Sequence, residues 1–323
     1  MTNRLTKRPS RLKGIAAIAL SVGLLASACG GGGTDAGGGD GSDPKSQPID
    51  LGYIDWNEDI ALNYLWKHIL EERGYKVNFS KVDAGIIFNG MTKDEVDVFF
   101  DTWLPATHET YWKRHGDKLE KLTKWYETAP LALAVPKWTY NKGVQSIGDL
   151  AENADLFNGQ ITGIGPSAGE TELINKKVMP AYNLKDSLTH KVTSASTMLA
   201  ALDEAVQNKD DIVVALWKPH WAWSAYPIKP LKDPKNAWGK PDSIWATASG
   251  KNAEGGAFSE DYPKVAGWIS KMKLTPEQIA SLADAVVNKA EGEKARTQAA
   301  AKWAHSHQDL LSKWGIPKPQ QQQ

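Results

Sequence analysis

Cysteine is almost missing from this chain, with Cys29 alone among 323 residues. One thiol cannot close an internal disulfide. Phenylalanine is scarce at 6 residues, yet tryptophan reaches 14, an excess that signals an aromatic binding surface as well as core. Charge of one sign is also lacking, with 38 basic and 38 acidic residues, so the chain offers no basic surface for nucleic acid. No apolar run reaches the roughly 20 residues of a spanning helix. Catalytic signatures are absent too: there is no nucleophile elbow, no His-Glu-x-x-His and no phosphate-cradling loop. Gly163-Ile164-Gly165 lacks the third glycine and the later acid of a dinucleotide fingerprint. The expectation is a protein that is not an enzyme and uses neither metal nor cofactor.

What is present begins at the N-terminus. Arg4, Lys7, Arg8, Arg11 and Lys13 precede an apolar run from Ile15 to Ala28 that ends in small residues, the pattern of a signal peptide over residues 1–28. Cys29 closes that run, and Leu24-Leu25-Ala26-Ser27-Ala28-Cys29 resembles a bacterial lipobox, with Ala26 where an aliphatic residue is usual. The resemblance implies a cysteine that is acylated after cleavage and anchors the chain to a membrane. Residues 29–48 are rich in Gly, Asp and Ser, a composition that cannot bury enough apolar surface to fold and reads as a flexible tether. Loss of the five N-terminal basic residues leaves 33 basic against 38 acidic, a balance near −5.

The mature part alternates strand and helix patterns. Ile49 to Ile54, Lys76 to Phe79 and Val96 to Phe100 read as strands, with a helical stretch from Ile60 to Leu70 closed by Gly74. Leu131 to Val135, Gln160 to Ile164 and Asp211 to Leu216 read as further strands, with helices from Glu170 and Met198. Such alternation argues for α/β lobes with mostly parallel sheets. The expected division is a first lobe over 49–135 that resumes as a helical return segment over 227–316, a second lobe over 136–226, and a disordered tail over 317–323. No internal repeat is visible.

Ligands of open α/β sheets bind beyond the carboxyl ends of strands. Trp56, Trp103 and Trp217 follow three of the expected strands. Any one of them reads most simply as core. Three at strand ends, divided between two lobes, point instead to converging aromatic faces that enclose a cation unable to donate hydrogen bonds.

Four stretches then carry a family resemblance: Leu51-Gly52-Tyr53-Ile54-Asp55-Trp56, Trp103-Leu104-Pro105-Ala106-Thr107-His108, Thr162 to Gly169, and Trp217-Lys218-Pro219-His220-Trp221. Together they resemble the glycine betaine-binding proteins of ABC transporters across nearly all of the mature domain. The resemblance implies a two-lobed, periplasmic-binding-protein-like α/β fold of type II with its ligand cleft between the lobes. It implies a trimethylammonium head among Trp56, Trp103 and Trp217, with the ligand carboxylate against His108 and the backbone N–H groups of Gly169 and Glu170. It further implies an extracytoplasmic protein that delivers glycine betaine, or a related quaternary ammonium osmoprotectant, to the membrane subunits of an ABC permease. Choline or carnitine is the alternative ligand. Two acids stand out against this pattern: Glu170 occupies a position that is often apolar, and Asp101 precedes Trp103 by two residues. A ligand with a hydroxyl group would use such acids.

Overall fold

The structure is a computed structural model that describes residues 47–318. The expected signal peptide, Cys29 and all of the tether but Gln47 and Pro48 lie outside the described residues, as does the tail beyond Lys318. Among the described residues no helix is long and apolar enough to cross a membrane.

Among the described residues ten strands form two sheets. The first sheet contains β1 (Pro48–Tyr53), β2 (Lys76–Lys81), β3 (Val98–Leu104), β4 (Leu119–Ala129) and β10 (Asp242–Ser249), in the order β2-β1-β3-β10-β4. The second contains β5 (Leu131–Pro136), β6 (Gln160–Gly163), β7 (Thr189–Val192), β8 (Val214–Trp217) and β9 (Ile228–Pro230), in the order β7-β6-β8-β5-β9. Each sheet joins three parallel strands to an antiparallel pair, so both are mixed rather than mostly parallel. Each carries helices, which makes the chain a two-lobed α/β protein.

The lobes are linked where the chain passes from β4 to β5 through Pro130, and again between β9 and β10. β5 pairs with β8 and β9 in the second sheet. The expected division at 135/136 therefore falls one strand late, because sequence periodicity shows that a strand exists and not which partner it takes. β10 explains a second difference. It is the antiparallel partner of β3, with Ile244 opposite Trp103 and Ser243 opposite Leu104. That remote pairing extends β3 past Phe100, so Trp103 lies inside the strand rather than in the loop after it.

Burial follows from the sheet positions. Every residue of β3, Asp101 included, is buried, as a central strand covered on both faces requires. In the second sheet Leu133, Val135, Val213 and Ala215 join one apolar cluster while Ala134, Val214 and Leu216 join the other, the two-residue alternation of a strand. Helix α1 (Asn57–Glu71) follows β1 directly, and its inner face carries Trp66. That ring stacks on Phe100, 5.7 Å between centroids, and on Trp314 at 6.0 Å. Three further helices matter here: α2 (Glu109–His115), α3 (Gly169–Leu173) and α4 (Gly292–Ser306), of which α4 packs on α1.

Candidate functional site in the cleft between the sheets

The carboxyl ends of β1, β3, β6 and β8 meet across the cleft around a small cavity. Its lining includes Trp56, Glu58, Trp103 and Thr107 from the first lobe, with Gly169, Glu170 and Trp217 from the second. Trp56 is the residue that caps α1, Trp103 the penultimate residue of β3, and Trp217 the last residue of β8. All three rings are more than nine-tenths buried. The Trp56 and Trp217 rings, from opposite lobes, lie 6.3 Å apart at 62°.

The first-lobe side is held by a local network. Asp101 accepts from the Trp103 indole N–H at 2.8 Å, which fixes the ring. His108 Nδ1 accepts from the Trp103 backbone N–H at 3.0 Å, so the ring proton sits on Nε2. Burial lowers the His108 pKa to about 3, and the imidazole is neutral. The ring stacks on Trp56 at 5.9 Å and 14° rather than facing the cavity, and its Nε2–H has no partner. The turn after β3 is tied to the start of β10: Asp242 accepts from the backbone N–H of Ala106 (2.6 Å) and Thr107 (2.8 Å), and from the Thr107 hydroxyl.

The second-lobe side is organised by the turn between β6 and α3. The Thr171 hydroxyl donates to the carbonyls of Ile164 (3.1 Å) and Gly165 (2.9 Å), and the turn presents Gly169 to the first lobe. A Cβ on Gly169 would overlap the Thr107 carbonyl oxygen, so only glycine allows this approach. Tyr111 of α2 donates to the Ser167 carbonyl at 2.8 Å across the same seam. Trp223 buttresses the cavity from behind, donating from its indole N–H to the Trp217 carbonyl at 2.7 Å. A further contact spans the cleft where His220 Nε2 lies 2.6 Å from the Asn57 carboxamide.

Three buried acids set the electrostatics. Glu58 and Glu170 are 1% and 2% exposed, and neither oxygen of either carboxylate has a hydrogen-bond partner. Burial raises Glu170 to about 8. Burial, with Asp101 nearby, holds Glu58 well above the usual carboxylate range, while the adjacent Trp217 indole lowers it somewhat. Asp101 is raised by burial to about 7, against the lowering effect of its bond to Trp103. No lysine or arginine lines the cavity.

The structure thus brings Trp56, Trp103, Trp217, Gly169 and Glu170 to the lining of one cavity, with Asp101 one bond behind Trp103 and His108 behind Trp56. Sequence reasoning missed Glu58, which stands two residues after Trp56 in the first turn of α1 and so necessarily shares its surroundings. It also missed Thr107, and Asp242, which acts from a strand that only the fold reveals.

The model of a family described as the substrate binding domain of ABC-type glycine betaine transport systems matches residues 47–306. The glycine betaine/carnitine transport binding protein GbuC of Listeria monocytogenes is 30% identical over 173 residues, which span 53% of this chain and 53% of that protein. Among solved structures, lactococcal OpuAC in its closed-liganded conformation with glycine betaine superposes with a TM-score of 0.73 at 28% identity, over 83% of this chain and 99% of that one. The glycine betaine/L-proline-binding protein ProX of Borrelia burgdorferi gives a TM-score of 0.75 at 24% identity, over 84% and 97% of the two chains.

Proposed function

The chain belongs to the family of substrate-binding domains of ABC-type glycine betaine transport systems, and from that premise we propose that Trp56, Trp103 and Trp217 form the cage that captures the methylated ammonium head of its solute. One observation carries this reading: three indoles from the ends of β1, β3 and β8, each less than a tenth exposed, line a single cavity between the two lobes. Indole faces hold negative potential and attract a cation without needing hydrogen bonds from it. A quaternary ammonium group has no N–H to offer, so such a cage prefers it to an ordinary amine.

In this reading the first lobe receives the cation and the approach of the second brings Trp217 and the Gly169 turn across it. The loaded protein then hands a betaine-like solute to an ABC permease from outside the cytoplasm, held near the membrane by a lipid on Cys29. The fit of Gly169 against the Thr107 backbone supports a site completed by both lobes.

Titration calorimetry with glycine betaine, choline and carnitine tests the cage. Trp103→Ala should weaken whichever solute binds by at least tenfold, since one desolvated aromatic wall contributes about 1 to 2 kcal/mol. An unchanged affinity sinks the assignment.

A further inference from the structure

We propose that this cavity selects a quaternary ammonium cation whose far end donates a hydrogen bond and carries no carboxylate, with Glu58 of the first lobe and Glu170 of the second as the residues that decide it. The inference rests on the cage reading and concerns the other end of the ligand.

The groups expected to meet a ligand carboxylate are poorly placed for it. His108 lies behind Trp56 and outside the lining, and the Gly169 turn brings the Glu170 side chain with it into the cavity wall. Four carboxylate oxygens, two on Glu58 and two on Glu170, are buried at the cavity without any partner, and the second oxygen of Asp101 is a fifth. A buried polar group without a hydrogen bond is costly and a buried unpaired charge more so. The groups around them offer little compensation, the free donor beside Glu58 being the Trp217 indole N–H. Asp59, packed beside Glu58, is itself an acid whose oxygens are taken by the Ile54 N–H at 2.8 Å and the Asn63 amide at 2.8 Å. Burial leaves His108 and His220 neutral. Nor do these acids form a metal site: among the described residues no group of His, Cys, Asp or Glu converges to hold a metal ion.

A ligand therefore has to supply what these carboxyl groups lack, namely positive charge and hydrogen-bond donors beyond the one free indole N–H of Trp217. An amino alcohol of the choline type brings both. A carboxylate would add a further negative charge beside Glu170, where like charges oppose ionisation. With the Glu170 carboxyl raised to about 8, it carries a proton in the empty cavity at neutral pH. Capture of a cation favours the ionised form and sends that proton to solvent, whereas a carboxylate ligand favours retaining it. The two ligand classes thus depend on pH in opposite directions.

The test is calorimetric titration of the protein with choline, glycine betaine and tetramethylammonium at pH 6 and pH 8, on the wild type, Glu170→Gln and Glu58→Gln. Choline should bind at least tenfold tighter than glycine betaine at pH 8, with an affinity that rises from pH 6 to pH 8 while that for glycine betaine falls. Each Glu→Gln change should cut the preference for choline about tenfold by removing one negative charge. A wild type that binds glycine betaine as tightly as choline overturns the proposal, as does an unchanged ratio in both variants. Tetramethylammonium separates this from the cage: if it binds and is lost in Trp103→Ala, the cage stands whatever happens at the far end.

Discussion

The two walls of the cavity are held in different ways. On the first-lobe wall Trp103 is gripped by its own neighbours, through Asp101 at the indole and His108 at the backbone, and the following turn is tied down by Asp242. On the second-lobe wall neither the Trp217 indole N–H nor the Glu170 carboxylate has a partner. The first wall keeps its shape by local bonds and is organised before any ligand arrives, which limits the ordering that binding requires. The second reaches the ligand only when the lobes meet, and its polar groups wait for what the ligand brings.

The sharpest way to break this comparison is to stop the walls from meeting. Gly169→Ala places a methyl group on the Thr107 carbonyl, which belongs to backbone fixed by Asp242 and so cannot yield cheaply. Affinity for the preferred solute should fall at least a hundredfold, while thermal stability without ligand stays near that of the wild type. Small-angle scattering should then show an open molecule in the presence of solute. A variant that closes and binds normally would mean that the seam is softer than its geometry implies.

Next comes the pair of cage residues. Trp103→Ala and Trp217→Ala each remove an aromatic wall, and each should cost at least tenfold in affinity. Their stabilities should differ. Loss of Trp103 leaves Asp101 buried with no hydrogen bond at all, a penalty of about 1 to 3 kcal/mol beyond the cavity left by the ring. Loss of the Trp217 side chain breaks no side-chain hydrogen bond of good geometry and removes only the weaker approach of its indole to Glu58, because Trp223 donates to its main-chain carbonyl. Differential scanning should therefore show the larger drop in Tm for Trp103→Ala, and equal drops would deny the first wall its network.

How much of this was legible in the sequence follows the same division. The tryptophans were readable because each follows a strand whose apolar run is local and self-evident, and the Gly169 turn through the resemblance carried by Thr162 to Gly169. Long-range pairing was not readable. β4 carries Glu120, Lys121, Lys124 and Glu127 on an edge strand, and β10 mixes polar and small residues, so neither shows a clear apolar alternation. With β10 unseen, Trp103 was expected in a loop and Asp242 had no role. His108 was expected to face the ligand from the family resemblance carried by Trp103 to His108, but the bond from the Trp103 N–H to its Nδ1 turns the ring behind Trp56. Spacing fixes proximity along the chain and leaves side-chain direction to the packing.

Acidity offers a gentler probe of the second wall. With the lobes together, as in this structure, burial raises Glu170 from its ordinary value of 4.5 to about 8. The folded state therefore keeps a proton that the unfolded chain has lost. The associated stability is complete below pH 4.5 and disappears as pH rises through 8. The Tm of the ligand-free protein should fall by several degrees between pH 5 and pH 8. Glu58, Asp59 and Asp101, all raised by burial, act in the same direction. Glu170→Gln should recover part of that loss at pH 8 and change little at pH 5. A profile identical to the wild type would show that the carboxyl reaches solvent.

The smallest effect belongs to the bond that crosses between the walls. His220 Nδ1 accepts from the Ala222 N–H at 3.0 Å, so Nε2 carries the proton, and the Asn57 carboxamide, whose Nδ2 stands 2.6 Å away across the cleft, accepts it once its amide is turned to present the oxygen. When the lobes part, both groups recover hydrogen bonds to water, so only the net value of one neutral bond, about 1 kcal/mol, is at stake. Asn57→Ala should weaken solute binding about fivefold and leave the Tm of the empty protein within a degree or two if the lobes are already open there. A drop in Tm as large as that of Trp103→Ala would instead place the closed arrangement in the empty protein, and the second wall would then be as fully organised in advance as the first.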